Sequence, residues 1–169
     1  MVLDWMRKIH QMEYAHRYES LYWVKIEKWV GIFAFALSTF IAFSFRFPKV
    51  DTEFYNKLPF FLHQDFFVAF TSTAVAILTG LQTFLKPGEK SGLHKNTANE
   101  YESLRHKIEL VLTMNESDED FKEKITTIKK EWENLDAINV SNKNFSKGKN
   151  RVNSFKKYPK ELGFLEDIQ

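Results

Sequence analysis

Any chemistry in this chain has to come from histidines, hydroxyls and carboxylates, because its 169 residues include no cysteine. That absence removes a disulfide framework, a cysteine-based zinc site and a thiol nucleophile together. The histidines, His10, His16, His63, His94 and His106, are scattered. His94 and His106 fall on one predicted helix, but more than three turns apart, about 18 Å, too far to share a metal. There is no glycine-rich phosphate loop and no serine elbow. No enzyme and no cofactor are therefore expected. Two groupings do stand out: a row of hydroxyls in an otherwise oily stretch, and a basic run near the end of the chain.

The elements that would carry the hydroxyls are two uncharged runs. Thirteen of the 17 phenylalanines lie between Phe33 and Phe84, while most of the charge lies outside that window. The mean hydropathy of −0.37 therefore averages two different solvents. Trp29 to Phe45 (WVGIFAFALSTFIAFSF) is free of charge and would reach about 26 Å as a helix, a small deficit against a hydrocarbon core of about 30 Å. Lys28 and Arg46 can snorkel, and Trp23 and Trp29 suit the headgroup level. Phe66 to Leu85 (FFVAFTSTAVAILTGLQTFL) spans about 30 Å unaided. In a soluble bundle, two such runs would leave too little chain to cover them. A cleaved signal peptide does not fit either, since the first run starts behind a long charged segment.

Charge sets the orientation. Arg7, Lys8, Arg17, Lys25 and Lys28 precede the first run, and Lys86, Lys90, Lys95, Arg105 and Lys107 follow the second. The linker has only Arg46, Lys49 and Lys57, with Pro48 and Pro59. Both termini are expected in the cytoplasm. Within the runs, Gly31, Ala34, Ser38 and Ala42 share one face. Ala69, Ser72, Thr73, Ala76, Thr79, Gly80 and Thr83 share another, and Gln82 is the only large polar side chain. Small residues and hydroxyls of this kind serve helix–helix packing, or they line an aqueous path shared by several copies. No charged side chain sits mid-span, so a proton relay, a voltage sensor or a charged selectivity ring is not expected.

The cytosolic segments read as helices. Residues 1–28 form an amphipathic helix with Trp5, Ile9, Met12, His16 and Trp23 on one broad face. Pro87, Gly88 and Gly92 punctuate the end of the second span. A new helix follows, with His94, Ala98, Tyr101, Arg105, Ile108 and Leu112 at 4-3-4-3-4 spacing and Leu104 and Val111 alongside. Ser117 is a candidate cap for a further helix, with Asp118, Glu119 and Asp120 in its first turn. Its apolar row is Phe121, Ile125, Ile128, Trp132, Leu135 and Ile138. Both rows drift like heptads, which predicts a helical hairpin packed on itself, on the first helix or on another copy.

Ser141 to Lys160 holds seven Lys/Arg, three aromatics and no acid. It reads first as a solvated, mobile linker. The functional alternative is contact with anionic lipid or an anionic ligand through Lys147, Lys149, Arg151, Lys156 and Lys157. Direct nucleic-acid binding by the whole chain is not expected, since 24 basic residues against 22 acidic ones leave only +2. Leu162, Phe164, Leu165 and Ile168 could dock on a neighbour.

After the second run, Phe84, Lys86-Pro87, Glu89-Lys90, His94, Ala98, Tyr101, Leu104-Arg105 and Ile108-Glu109 resemble the post-membrane helix motif of SLATT domains. These are two-transmembrane domains associated with bacterial SMODS nucleotidyltransferase and SLOG sensor systems. The likeness covers about residues 1–140, including the order of a cytosolic helix, two spans and a helical cytosolic region. It implies an effector of bacterial anti-phage defence that oligomerises in the inner membrane and forms a pore when a partner or nucleotide signal triggers it. Implied partners are lipids, further copies of the chain, and a nearby nucleotide-signalling synthase, SLOG-type sensor or reverse transcriptase. The matched Pro87, His94, Ala98, Tyr101, Leu104 and Ile108 carry a structural or gating role only.

The expected fold is thus an all-α membrane protein, a homo-oligomer of a two-helix transmembrane hairpin. A SLATT-like domain (1–140) comprises a cytosolic amphipathic helix (1–28), spans at 29–45 and 66–85 joined by an extracytoplasmic loop (46–65), and a cytosolic helical hairpin (86–140). A basic tail (141–169) completes it. The rival reading is a non-conducting anchor or adaptor that recruits a cytosolic sensor or enzyme.

Overall fold

The computed structural model describes residues 2–44, 59, 63–114 and 119–155. These form five helices, α1 (Val2–Ser44), α2 (Gln64–Leu85), α3 (Pro87–Val111), α4 (Glu119–Glu133) and α5 (Asn142–Asn153), with no strand among the described residues. The chain divides into two units, one of Met1–Tyr22 with Glu89–Gln169, the other of Trp23–Gly88. Most of the linker 46–65 lies outside the described residues, as do the Ser117 cap, Lys156, Lys157 and the apolar residues near the C-terminus.

Helix α1 runs unbroken for 43 residues. It contains no proline to interrupt the backbone ladder, and its solitary glycine, Gly31, lies well inside it. Asp4 occupies its first turn, where the helix dipole favours an acid, and pairs with Arg7 at 3.3 Å and Lys8 at 3.2 Å. The expected amphipathic helix and first span are therefore one continuous element.

In the Trp23–Gly88 unit, α1 and α2 are long and apolar enough to cross a membrane. Their few buried residues are small or weakly polar: Ala34, Ser44 and Thr71. Large side chains point outward instead, with Phe35 76%, Phe40 62%, Phe70 65% and Phe84 84% exposed. Helix α2 stops at Lys86, which takes a left-handed conformation at φ 46° and donates its N–H to Gln82 O at 3.1 Å. Pro87 then opens α3, where its fixed φ and missing N–H cost nothing. A Cβ at Gly88 would lie 2.9 Å from the Glu27 carboxylate, so a side chain there requires the end of Glu27 to shift.

The other unit is a helical bundle. Met6 and Ile9 of α1, Tyr101, Leu104, Ile108 and Val111 of α3, and Ile128 of α4 form its buried core. Trp5, Met12, Phe121, Ile125, Trp132 and Leu135 pack around them, and the Trp5 and Trp132 rings meet edge-on at 6.0 Å. The two heptad-like rows thus pack on each other and on α1. Two ends differ from expectation: Leu112 lies past the end of α3 and is 39% exposed, and α4 stops at Glu133, leaving Ile138 in a connection without regular structure.

The larger difference is at residues 142–153. In place of a mobile linker there is a docked helix, α5, whose Asn144, Gly148 and Val152 are buried at i, i+4 and i+8. Ser141 caps it by accepting from the Asn144 N–H. A Cβ on Gly148 would lie 2.6 Å from Gln11 O and 2.8 Å from Ala15 N, so α5 crosses α1 backbone against backbone. That crossing is open only to glycine at this position.

Candidate functional site

Helices α1 and α3 run antiparallel through the bundle, and the contacts between them change character along their length. Near Met6 and Ile9 the seam is apolar. Toward Tyr22 it becomes a stack of polar pairs. Three of these involve groups that sequence spacing alone does not connect.

The first pair involves Glu13, which is 4% exposed. Its Oε1 accepts from Arg17 Nε at 3.1 Å and its Oε2 from Arg105 Nε at 2.9 Å. Arg17 Nη2 donates onward to Glu102 at 2.9 Å, and Arg105 Nη1 to Glu109 at 3.0 Å. Burial would pull the Arg105 guanidinium down, but the hydrogen bond and charge of Glu13, then Glu109, hold it above its ordinary value. The alternation of sign gives the buried Glu13 carboxylate a cationic partner on each oxygen.

One turn on, His16 and His94 face each other with Nδ1 atoms 3.0 Å apart. His16 has no solvent exposure, His94 is buried, and the Tyr101 ring lies 5.5 Å from that of His16. Burial, reinforced by His94 and opposed by Glu19, lowers the His16 pKa to about 4. Burial also lowers His94, against the pull of Glu19. Both rings are neutral at physiological pH. Beyond them Ser20 and Ser91 share a hydrogen bond at 3.1 Å.

Glu19 ties α5 to this stack. One carboxylate oxygen accepts from Ser141 Oγ at 2.6 Å, from Ser141 N–H at 3.2 Å and from Asn144 Nδ2 at 2.8 Å. Burial would raise Glu19, but these hydrogen bonds and the influence of His94 outweigh it and hold the carboxyl below its usual value. At its far end α5 is closed by Phe155, stacked on His10 at 5.4 Å and lying under the Arg151 guanidinium at 5.2 Å.

The sequence-derived candidates separate. His94, Ala98, Tyr101, Leu104 and Ile108 are all buried in the bundle, and Pro87 is buried where α3 begins. Ser38, Ser72, Thr79 and Thr83 are exposed on α1 and α2, and Gln82 is half-buried. Three of these hydroxyls donate to their own helices: Ser38 to Ala34 O at 2.8 Å, Thr79 to Val75 O at 2.8 Å and Thr83 to Thr79 O at 3.0 Å. Such back-bonding satisfies a hydroxyl without water or a neighbouring helix. Lys147, Lys149 and Arg151 are exposed on α5. His106 is exposed and contacts Glu109 at 3.2 Å, away from His94.

Sequence reading missed His16 as a partner of His94, Glu19 as the anchor of α5, and Thr71 as the buried hydroxyl of α2. Only the 4-3 spacing of His94 with the α3 core signalled that it faces inward.

Among the described residues, no group of three or more His, Asp or Glu is placed to hold a metal ion. Surface grooves of about 460 and 580 Å³ flank the Lys107–Glu131 ion pair between α3 and α4. The buried pairs join α1 to α3 and α5. Searches of family models, curated proteins and solved structures find no match to this chain.

Proposed function

We propose that this chain is a two-span effector of the bacterial inner membrane, with its helical bundle in the cytoplasm, that oligomerises and opens a pore when a partner or nucleotide signal acts on the bundle. The observation that carries the reading is the outward display of aromatic side chains on the uncharged stretches of two long helices. A soluble monomer rarely exposes more than a few hundred Å² of contiguous apolar surface, whereas lipid tails are a natural neighbour for Phe35, Phe40, Phe43, Phe70 and Ile77. Residues 2–22 and 89–155 fold into one unit, which supports N- and C-terminal segments on the same face of the membrane. The basic flanks favour the cytoplasm for that face. The defence role and the partner classes rest on the SLATT-like residues from Phe84 to Glu109.

Two helices cannot enclose water, so conduction needs several copies. The exposed Ser72, Thr79 and Thr83 are the candidates to line the path. The test is ion flux through liposomes that hold the purified chain and its triggering partner, alongside carbonate extraction of native membranes. Replacing Ser72, Thr79 and Thr83 together with Leu is expected to abolish flux while the protein stays in the membrane. Flux that survives the triple substitution removes these residues from the pore, and an alkaline wash that releases the protein overturns the membrane reading itself.

The adaptor reading gains from one detail. Because Ser38, Thr79 and Thr83 are satisfied by their own backbones, the spans need no aqueous lining to be stable. Absence of flux under every triggering condition, with intact recruitment of a cytosolic partner, would favour that reading.

A further inference from the structure

The His16–His94 contact needs one proton, and only one, between the two facing nitrogens. Along a 3.0 Å line between two Nδ1 atoms, one ring must donate and the other accept. The second nitrogen of His16, Nε2, is buried and has no hydrogen-bond partner among the described residues. A further proton on His16 therefore either sets two N–H groups head to head, where His16 is the acceptor, or places a charge on a ring whose Nε2 has no acceptor, where it is the donor. We propose that His16 and His94 form a proton-sensitive clasp between α1 and α3, shut while both rings are neutral and opened when His16 takes up a proton, with α5 released as a consequence.

The surroundings fit a clasp. The charges that act on His16 are those of His94 and Glu19, from α3 and α1. Tyr101 of α3 packs against the His16 ring. Helix α5 contributes the neutral Ser141 and Asn144, both spent on Glu19. The Glu13–Arg105 ion pair lies a turn away on one side and the Ser20–Ser91 bond on the other. Glu19 is one turn from His16 on α1, so a disturbance of α1 there reaches the oxygen that holds α5.

The direction follows from linkage. Both histidines bind protons less readily folded than unfolded, so their contribution is complete above about pH 6.5 and drains as pH falls toward about 4, the His16 value. Glu19 adds a loss of the same sign below 4.5. For His16 alone, opening should rise roughly 20-fold between pH 7 and pH 5. The inference concerns the bundle and stands independently of pore formation.

The experiment is a titration of the full chain in detergent with ¹⁵N-labelled histidine, assigned through His63→Asn and His106→Asn variants. Two rings should titrate below pH 6.5, the lower of them near 4, and while both are neutral one should be protonated at Nδ1. All five histidines titrating together near 6.5 would overturn the proposal. Hydrogen exchange read in parallel should accelerate with acid in residues 10–20, 91–104 and 141–153, and a His16→Gln/His94→Gln variant should flatten that dependence. A folded double variant with the native pH profile would also overturn it, and if that variant does not fold, the titration of the native chain decides.

Discussion

Arg105 illustrates how burial sets what a charge is worth. Its side chain is 13% exposed and that of Glu13 5%, so removing the guanidinium strands a carboxylate inside the bundle. Arg105→Met is expected to cost about 2–3 kcal/mol, read as a lowered thermal midpoint in detergent. Arg17 bonds the same carboxylate, but it is 39% exposed, and Arg17→Met should cost no more than about 1 kcal/mol in the same measurement. The 4-3-4 spacing from His94 to Ile108 made the α3 core legible in the sequence. The partners across the seam were not legible, because His16 and His94 are 78 positions apart and only the antiparallel run of α1 and α3 brings them together. Arg105 fell in the same periodic row as the apolar residues, and nothing local revealed that a glutamate 92 positions away neutralises it.

Among the elements, α5 departs most from its sequence. Its buried stripe is Asn144, Gly148 and Val152, so two of the three contacts are polar or lack a side chain. A reading based on apolar periodicity has little to find there, and a glycine amid lysines suggests a helix breaker. What favours the helix is close approach to Ala15, which gives backbone packing to the one residue without a Cβ. Gly148→Val should therefore detach α5, and limited proteolysis should cut between 141 and 155 far faster than in the native chain. Lys147→Val, at an exposed neighbouring position, should leave cleavage unchanged. The two long apolar helices and the break at Lys86-Pro87 were legible, since absent charge and proline chemistry are local properties. The end of α4 was not: its apolar row continues through Leu135 and Ile138 after the helix has stopped.

For the molecule as a whole, one unit gathers both the beginning of the chain and α3 to α5. The absence of cysteine makes the proposed orientation straightforward to examine, because any introduced thiol is the sole reactive one. Lys8→Cys and Lys147→Cys variants should both label from the cytoplasmic side of sealed vesicles and resist an impermeant reagent from the other. Labelling from opposite sides would break the topology apart. The Gly148 crossing also limits how α5 can move. Sliding by a single position would drive Lys147 or Lys149 into the Ala15 backbone, where only a hydrogen fits. This helix has one notch and no adjacent resting place. It is seated or it is off, and a signal that dislodges it is read as a switch rather than a dial.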